Sequence, residues 1–241
     1  MKPILFASDL HLAAERPDAL RAFEAFCKGP ARDAAAVYLL GDLFDWWLGD
    51  DQLRQRFAKD IARQLRGISD AGVPLYLGQG NRDFLLGEGF ARAIGATLLP
   101  ERERIDLFGV PTLVSHGDEL CTGDAEYQRY RAHIRSDESR ARLLGLPLFV
   151  RRMIAWFLRR KSRHANAMKA EAIMDVEEAA VVDTLRRYEV DRLIHGHTHR
   201  PAHHALVVDG RPRERIVLAD WHDHGHYLEA TPAGLVDREI R

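Results

Sequence analysis

The sequence predicts an α/β protein whose helices and strands pack in layers. Through residue 94, apolar runs of strand length alternate with segments of helical periodicity. After residue 97, short strand patterns cluster, and a long helical stretch over residues 125–186 interrupts them. Alternation followed by clustered strands is typical of a layered α/β fold with mixed β-sheets, so we predict that fold class.

In the first half, three short apolar runs are predicted to be buried strands, and amphipathic helices are predicted between and after them. Pro17 suits the first turn of a helix, because a residue there needs no backbone N–H. The predicted elements, in chain order, are strand 3–8, helix 17–28, strand 36–40, helix 51–68, strand 73–77 and helix 84–94.

The second half is predicted to place short strands on both sides of a helical segment. Breaks in the helical periodicity are expected near Gly145 and Pro147, and the pair Asp209-Gly210 is typical of a hairpin turn. Residues 125–169 interrupt the rhythm of the strands, so we predict a helical insertion there, within a single domain that spans residues 1–241. The predicted strands of this half are 98–99, 104–108, 112–115 and 193–194, with hairpins over 205–240.

Composition and charge restrict the cellular setting and the partners. A formal net charge of -1 over 241 residues provides no basic field, so we expect no nucleic-acid partner, and no obligate protein partner is evident. Cys27 and Cys121 are too few for a disulfide framework and are expected to be buried free thiols. No apolar run reaches the roughly 20 residues of a membrane span, and the N-terminal run is too short for a signal peptide. We therefore expect a cytoplasmic protein, either soluble or bound peripherally to a membrane.

Residues of metal-binding type follow the ends of five predicted strands. Ligands gather outside the carboxyl ends of strands in α/β sheets, so these side chains are expected to meet. Each one alone is a weak signal, because Asp and Asn after a strand are often turn or cap residues and a His-rich loop is often solvated. Their joint occurrence favours a metal site. The residues are Asp9, His11, Asp42, Asn81, His116, His197 and His199.

The donor types of this set indicate a class of metal. Carboxylate and amide oxygens with imidazoles, and without a thiolate, suit manganese, iron or catalytic zinc rather than structural zinc, and manganese is the first choice. The set is too large for one ion, so two ions about 4 Å apart that share a carboxylate are expected. Asp42 is the predicted bridge.

Five short motifs, spread in order over nearly the whole chain, resemble the blocks of the calcineurin-like metallophosphoesterases. They are Asp9-Leu10-His11, Gly41-Asp42, Gly80-Asn81-Arg82-Asp83, His116-Gly117-Asp118 and Gly196-His197-Thr198-His199. The resemblance implies two mixed β-sheets flanked by helices, and two manganese ions per chain. The ligands that it implies are Asp9, His11 and His199 for one ion, Asn81, His116 and His197 for the other, and Asp42 between them.

One position departs from the usual superfamily pattern. Where a His usually follows the Asn of the third block, this chain has Arg82. A guanidinium does not give up its proton, so Arg82 cannot be the acid for the leaving group, but it can hold a phosphate and offset its charge. The longer strings at 40–44, 80–85, 116–122 and 194–201 narrow the resemblance to the UDP-2,3-diacylglucosamine diphosphatases.

This narrower resemblance implies a reaction in lipid A biosynthesis. UDP-2,3-diacylglucosamine would be hydrolysed to 2,3-diacylglucosamine 1-phosphate (lipid X) and UMP, through attack of a metal-activated hydroxide on the α-phosphorus. It also implies peripheral attachment to the cytoplasmic face of a Gram-negative inner membrane. The implied catalytic residues are Asp42, Asn81 and Arg82, and the implied substrate contacts are Asn81, Arg82, Asp124, Ser162, Asn166, Lys169 and His197.

Residues 148–163 join large apolar side chains to Arg and Lys without an acidic residue. Such a segment suits a membrane interface or a cap over acyl chains, which makes 125–169 a candidate lid, but an ordinary packed helix is the alternative. Two other functions also stay open: a metallophosphoesterase for soluble or cyclic nucleotides, and a non-catalytic scaffold with the same fold. His222, His224 and His226 fit either a further metal or proton relay or, more simply, a solvated hairpin.

Overall fold

The computed structural model describes residues 1–166, 175–222 and 224–240. Two short 3-10 helices, Asp50–Arg54 and Asp118–Leu120, lie in loops. The helices and strands are β1 (Ile4–Ala7), α1 (Pro17–Lys28), α2 (Pro30–Asp33), β2 (Ala36–Leu40), α3 (Arg56–Ser69), β3 (Leu75–Gly78), α4 (Glu88–Ile94), β4 (Thr97–Leu98), β5 (Arg102–Leu107), β6 (Val110–Ser115), α5 (Ala125–Ile134), α6 (Asp137–Leu144), α7 (Leu148–Asn166), α8 (Glu178–Arg187), β7 (Arg192–His195), β8 (Ala202–Val208), β9 (Arg211–Val217), β10 (Gly225–Thr231) and β11 (Gly234–Ile240).

The strands form two mixed sheets, as the resemblance implied. One sheet has the order β11-β10-β1-β2-β3-β4, and the other has the order β5-β6-β7-β9-β8. In the first sheet β1, β2, β3 and β4 run parallel, and in the second β6, β7 and β9 run parallel. The carboxyl ends of β1, β2 and β3 therefore lie at one edge of their sheet, and those of β6 and β7 lie at one edge of theirs.

Alternation along the strands builds the apolar layers. In β1, Phe6 packs between the two sheets with Ile194 of β7, whereas Leu5 packs with Phe23 of α1 on the opposite face. Helices α1, α3 and α4 cover that outer face, and α8 covers the outer face of the second sheet through Leu185. Burial of each large side chain contributes about 1.5–3 kcal/mol, which gives the strand ends a rigid base.

Most predicted elements are confirmed to within a few residues, but two predicted helices begin too early. The sequence predicted a helix over 51–68, whereas a 3-10 helix precedes α3, which starts at Arg56. Likewise the helix predicted over 84–94 begins only at Glu88. Asp50 explains both differences, because its carboxylate accepts hydrogen bonds from Gly87 N and Phe90 N and so joins the two segments through a tertiary contact.

The helical stretch predicted over 125–186 is divided into several helices. Breaks occur near Gly145 and Pro147 as predicted, and a further break lies at Ser136, whose hydroxyl accepts from Ser139 N and caps α6. The non-helical residues Asp175–Glu177 precede α8. No helix in the described part of the chain has the length and apolar character required to cross a membrane.

Arginines attach α5 and α7 to the loops at the strand ends. Arg135, the residue that follows α5, donates to Gly80 O at 3.0 Å. Arg151 of α7 is buried and donates to Leu48 O and to the Asp51 carboxylate. These contacts place the helices of residues 125–166 beside the strand ends, and the role of the segment 125–169 as a lid stays a prediction.

Candidate metal centre

The loops after five strands bring the predicted ligands together. Asp9 and His11 follow β1, Asp42 follows β2, Asn81 follows β3, His116 follows β6, and His197 and His199 follow β7. Backbone hydrogen bonds tie the first two loops to each other, from Asp9 N to Gly41 O and from His11 N to Asp42 O. The site is therefore assembled from both sheets and not from one local motif.

Many of these residues have a left-handed backbone conformation. The φ angles of Asp9, His11 and Asp42 are 57°, 46° and 51°, and those of His197 and His199 are 70° and 54°. Side-chain-bearing residues rarely adopt positive φ, and such conformations persist only where surrounding contacts hold them. The turns aim the side chains inward from the strand ends, so backbone strain is concentrated at this site.

Asp9, His11 and His199 form one group of converging donors. His199 Nε2 lies 3.2 Å from Asp9 Oδ1 and 3.3 Å from His11 Nε2. One ligand atom from each residue lies within 4.8 Å of the others, a spacing that can hold a metal ion. Asp9 is fully buried, and its other oxygen accepts from His197 N at 2.8 Å, which fixes the carboxylate.

Asn81, His116 and His197 form a second group around one amide oxygen. Asn81 Oδ1 lies 3.0 Å from His116 Nε2 and 3.0 Å from His197 Nδ1. The other ring nitrogen of His116 lies 3.0 Å from Leu40 O, to which it donates. In the neutral ring, His116 Nε2 is then an acceptor that faces the Asn81 oxygen, and a proton or a cation between the two atoms would stabilise this arrangement.

Asp42 lies between the two groups. Its Oδ2 is 3.9 Å from His11 Nε2 and 3.8 Å from His116 Nε2, and its Oδ1 accepts from Arg82 N at 2.7 Å. The buried Asp9 carboxylate belongs to two sets of ligand atoms that lie within 4.8 Å of one another, one with His11 and His199 and one with Asp42 and His116. Asp42 belongs to one of these sets, and its role as the bridge stays a prediction.

The protonation states fit a site that takes cations. Burial raises the pKa of Asp42 to about 7. Burial opposes protonation of His116, but the Asp42 and Asp9 carboxylates outweigh it and raise the pKa of His116 to about 9. Burial lowers the pKa of His11 to about 4, and burial together with the charge of His116 lowers that of His197 to about 4. Neutral imidazoles are the form that binds metal.

Three carboxylates that support the ligands were not predicted as site residues. Buried Asp83 accepts from the backbone N–H groups of Asp42, Leu43, Phe44 and Gly80 and so joins the loops after β2 and β3. Asp220 Oδ2 lies 3.4 Å from His199 Nδ1. The sequence marks Asp83 and Asp118 only as members of the third and fourth motifs, and it gives no local signal for Asp220.

Asp118 connects the second group of donors to α5. Its buried carboxylate pairs with Arg131 at 2.7 Å and accepts from Tyr127 OH at 2.9 Å. The Tyr127 ring in turn stacks on the His197 ring, with centroids 6.3 Å apart. The second donor group therefore faces α5.

The other predicted substrate contacts are only partly placed. Arg82 lines a pocket beside His11 and His199, and its guanidinium carbon lies 5.7 Å from the centre of the Trp46 ring. Asp124 accepts from Tyr127 N at 3.0 Å and caps the start of α5. The side chains of Ser162 and Asn166, and the whole of Lys169, lie outside the described residues, so these three contacts stay predictions.

Comparisons with known proteins show the family to which the chain belongs. The model of the calcineurin-like phosphoesterase family matches residues 2–201. A Cellvibrio japonicus protein named UDP-2,3-diacylglucosamine hydrolase is 49% identical and covers 97% of each chain, and a Pseudomonas paraeruginosa protein of the same name is 51% identical over 96% of each. A solved archaeal phosphodiesterase is similar in fold, with a TM-score of 0.51 and 11% identity over 99% of each chain. This chain belongs to the calcineurin-like phosphoesterase family.

Proposed function

We propose that this chain hydrolyses the pyrophosphate bond of UDP-2,3-diacylglucosamine to 2,3-diacylglucosamine 1-phosphate and UMP, a step of lipid A biosynthesis. The observation that carries the proposal is the meeting of seven oxygen and nitrogen donors beside Arg82. Relatives that carry the name UDP-2,3-diacylglucosamine hydrolase align over nearly the whole length of the chain. The chain is thus a metal-dependent hydrolase of the phosphoesterase type.

The ligand set fits divalent cations, and we propose two manganese ions per chain. Asp9, His11 and His199 would hold one, Asn81, His116 and His197 would hold the other, and Asp42 would bridge them. When bound, such ions supply an activated water and offset phosphate charge. Hard oxygen donors combined with imidazoles, without a thiolate, support manganese over a thiolate-rich zinc site.

Arg82 is the residue of this chain that we propose to hold the reacting phosphates. Its guanidinium can donate hydrogen bonds to two phosphate oxygens at once and offset the negative charge that grows on them. The Asp42 carboxylate accepts a hydrogen bond from the backbone N–H of Arg82 and so holds the Arg82 backbone beside the metal centre. Arg82 does not give up its proton, so the leaving sugar phosphate receives no proton from this position. A phosphate is weakly basic and can leave without being protonated.

Helix α7 supports attachment to a lipid surface. Phe149, Met153, Trp156 and Phe157 recur at helical spacing and are 54–66% exposed, whereas Ala155 and Arg151 face the protein. Exposed apolar groups beside basic residues suit a membrane interface with anionic headgroups. We propose that α7 binds the acylated substrate or the cytoplasmic face of the inner membrane.

Product analysis tests the reaction and the attacked atom together. Purified protein with manganese is incubated with UDP-2,3-diacylglucosamine in isotopically labelled water, and the products are separated by mass. We expect UMP that carries the label and unlabelled sugar phosphate, because attack on the α-phosphorus places the new oxygen in UMP. Label in the sugar phosphate would overturn the attack on the α-phosphorus.

Soluble substrates provide the comparison for substrate class. UDP-glucose and cyclic nucleotides are assayed under the same conditions as the acylated substrate. We expect rates well below that on UDP-2,3-diacylglucosamine, since neither offers acyl chains to α7. Equal or higher turnover of the soluble compounds would favour a general nucleotide phosphoesterase, and no turnover of any compound by metal-loaded protein would favour a scaffold.

A further inference from the structure

The two donor groups of the metal centre face different walls of the molecule. The group of Asn81, His116 and His197 faces α5, through the stacking of Tyr127 on His197. The group of Asp9, His11 and His199 opens instead into a pocket of about 540 Å³ that also contains Arg82. A substrate whose reacting phosphates lie on the metal centre therefore has two directions in which it can extend.

The wall of this pocket differs in chemistry from α7. Its outer part is lined by Ala13, Glu15, Arg16, Asp45 and His222, and it contains no large aliphatic or aromatic hydrocarbon side chain among the described residues. Carboxylates repel phosphate but accept hydrogen bonds from hydroxyl groups. The pocket therefore suits an uncharged, hydroxyl-rich group that projects from a phosphate, and it is a poor place for acyl chains.

Arg16 holds the shape of this pocket. Its guanidinium donates to His11 O at 3.2 Å and to His222 O at 3.0 Å, and it also contacts Trp221 O. It thereby joins the loop after β1 to the loop before β10. Glu15, next to it, is exposed at the pocket, and Asp45 follows the bridge between Leu12 and Phe44. Hydrogen bonds from the Arg16 side chain to backbone carbonyls thus connect the loops that line the pocket.

We propose that this pocket is the subsite for the nucleoside half of the substrate, with Glu15 and Asp45 accepting hydrogen bonds from the ribose hydroxyls. The assignment rests on the proposed function, since it takes the substrate to be a nucleoside diphosphate joined to an acylated sugar. Arg82 at the inner end then meets the phosphate nearest the nucleoside. The acylated sugar extends in the other direction, toward α5 and α7.

Product binding separates the two directions. Three proteins are compared: the wild type, the double variant Glu15→Ala/Asp45→Ala, and a control, Glu24→Ala, on the exposed face of α1. Each is titrated with UMP and, separately, with 2,3-diacylglucosamine 1-phosphate in the presence of manganese. Loss of hydrogen bonds to charged acceptors weakens binding by about 10-fold or more. We expect the Kd of UMP to rise about 10-fold or more in the double variant and to stay unchanged in the Glu24→Ala control. The Kd of the lipid product should stay within about twofold of the wild-type value in both variants.

A ribose analogue makes the test specific to the hydroxyl groups. Wild-type protein is expected to bind UMP about 10-fold more tightly than 2′,3′-dideoxy-UMP, and the double variant is expected to bind both equally. An unchanged Kd for UMP, or an equal rise for both products, in a variant with wild-type manganese content overturns the subsite. Failure of the wild type to release UMP from the acylated substrate would instead overturn the proposed function.

Discussion

At the scale of single residues, the metal centre is built from side chains on strained backbone. Asp9, His11, Asp42, His197 and His199 all have positive φ. Each such conformation costs about 1–3 kcal/mol, and the surrounding contacts must offset that cost. The hydrogen bonds from Asp9 N to Gly41 O and from His197 N to Asp9 Oδ2 are among these contacts. The direction of each ligand is thus set by its backbone before any ion binds.

Replacing Arg82 should separate phosphate binding from metal binding. Arg82→Ala removes the guanidinium but keeps the backbone N–H that donates to Asp42 Oδ1 at 2.7 Å. We expect kcat/KM on the acylated substrate to fall about 100-fold or more, as for the loss of a charge-stabilising donor, with metal content unchanged. Elemental analysis beside steady-state kinetics measures both. Loss of metal from the variant would show that Arg82 supports the structure of the site instead.

Asp220 should act on the metal centre through His199. Its carboxylate lies 3.4 Å from His199 Nδ1, on the ring side opposite the nitrogen that faces Asp9. A carboxylate there orients the ring and raises its basicity, so Asp220→Ala should weaken manganese binding about 10- to 100-fold. Calorimetric titration with manganese measures the change.

A second carboxylate–histidine pair provides the matched control. His203 Nε2 lies 3.0 Å from Asp237 Oδ2 at an exposed position away from the metal centre. Asp237→Ala removes the same kind of pair and should leave manganese affinity unchanged. Equal losses in both variants, or none in Asp220→Ala, would refute the positioning role of Asp220.

At the scale of elements, one buried carboxylate joins two strand ends. Both oxygens of Asp83 accept from backbone N–H groups, from Asp42 and Leu43 after β2 and from Gly80 after β3. Asp83→Ala leaves these donors buried without partners, so the free energy of unfolding should fall by at least about 3 kcal/mol. Urea denaturation measures it, and Asp83→Asn, which keeps one acceptor oxygen, should lie between.

The exposed Asp106 is the comparison for this prediction. It also accepts from a backbone N–H, that of Gly109 at 2.8 Å, but at a turn open to solvent. Asp106→Ala should lower the free energy of unfolding by about 1 kcal/mol or less, because water replaces the lost acceptor. A similar fall in the free energy of unfolding in both variants would show that burial of the N–H groups bound to Asp83 does not increase the cost of removing their acceptor.

The exposed face of α7 carries a prediction about lipids. Trp156 and Phe157 are 54% and 61% exposed and contact each other, with ring centroids 4.9 Å apart. Changing both to Ser should weaken binding to anionic lipid vesicles or raise KM for the acylated substrate, while manganese content stays at the wild-type level. Vesicle sedimentation and kinetics measure the two effects. Unchanged vesicle binding and unchanged KM would remove α7 from any lipid role.

At the scale of the whole molecule, the metal centre joins the two sheets. Asp9, Asp42 and Asn81 come from the first sheet, whereas His116 and His199 come from the second. A bound ion that contacts both sheets binds the folded chain and has no equivalent site in the unfolded chain. Metal binding should therefore stabilise the molecule as a unit.

Removing the metal should lower the melting temperature. For one bound ion, manganese at about 100 times its Kd adds about 2.7 kcal/mol, which corresponds to about 5–11 °C for a chain of this size, and the second proposed ion should add to that shift. Differential scanning calorimetry with manganese and with chelator measures the shift. Asp42→Ala removes the predicted bridge and should reduce the shift and nearly all turnover, so an equal shift in that variant would exclude Asp42 as a ligand.

The sequence by itself predicted the order of most elements, which the fold confirms, and it predicted which residues are candidate metal ligands. Apolar periodicity predicts the strands β1, β2 and β3 because side chains alternate between two buried faces, as Leu5 and Phe6 do. The ligand types are readable because hard oxygens and imidazoles after strands have few other common uses in combination. The start of α4 was predicted too early, since Asp50 sets it from 37 residues away.

Only the tertiary structure decided what supports the ligands and where the substrate has room. Asp220 lies 21 residues beyond His199 in the chain, and no periodicity relates the two, yet the parallel pairing of β7 with β9 brings the loops that follow them together, and the two side chains lie 3.4 Å apart. The pocket that Glu15 and Asp45 line lies between two distant loops that Arg16 joins. Such contacts depend on where separate elements meet in space, and local sequence patterns carry no information about that distance.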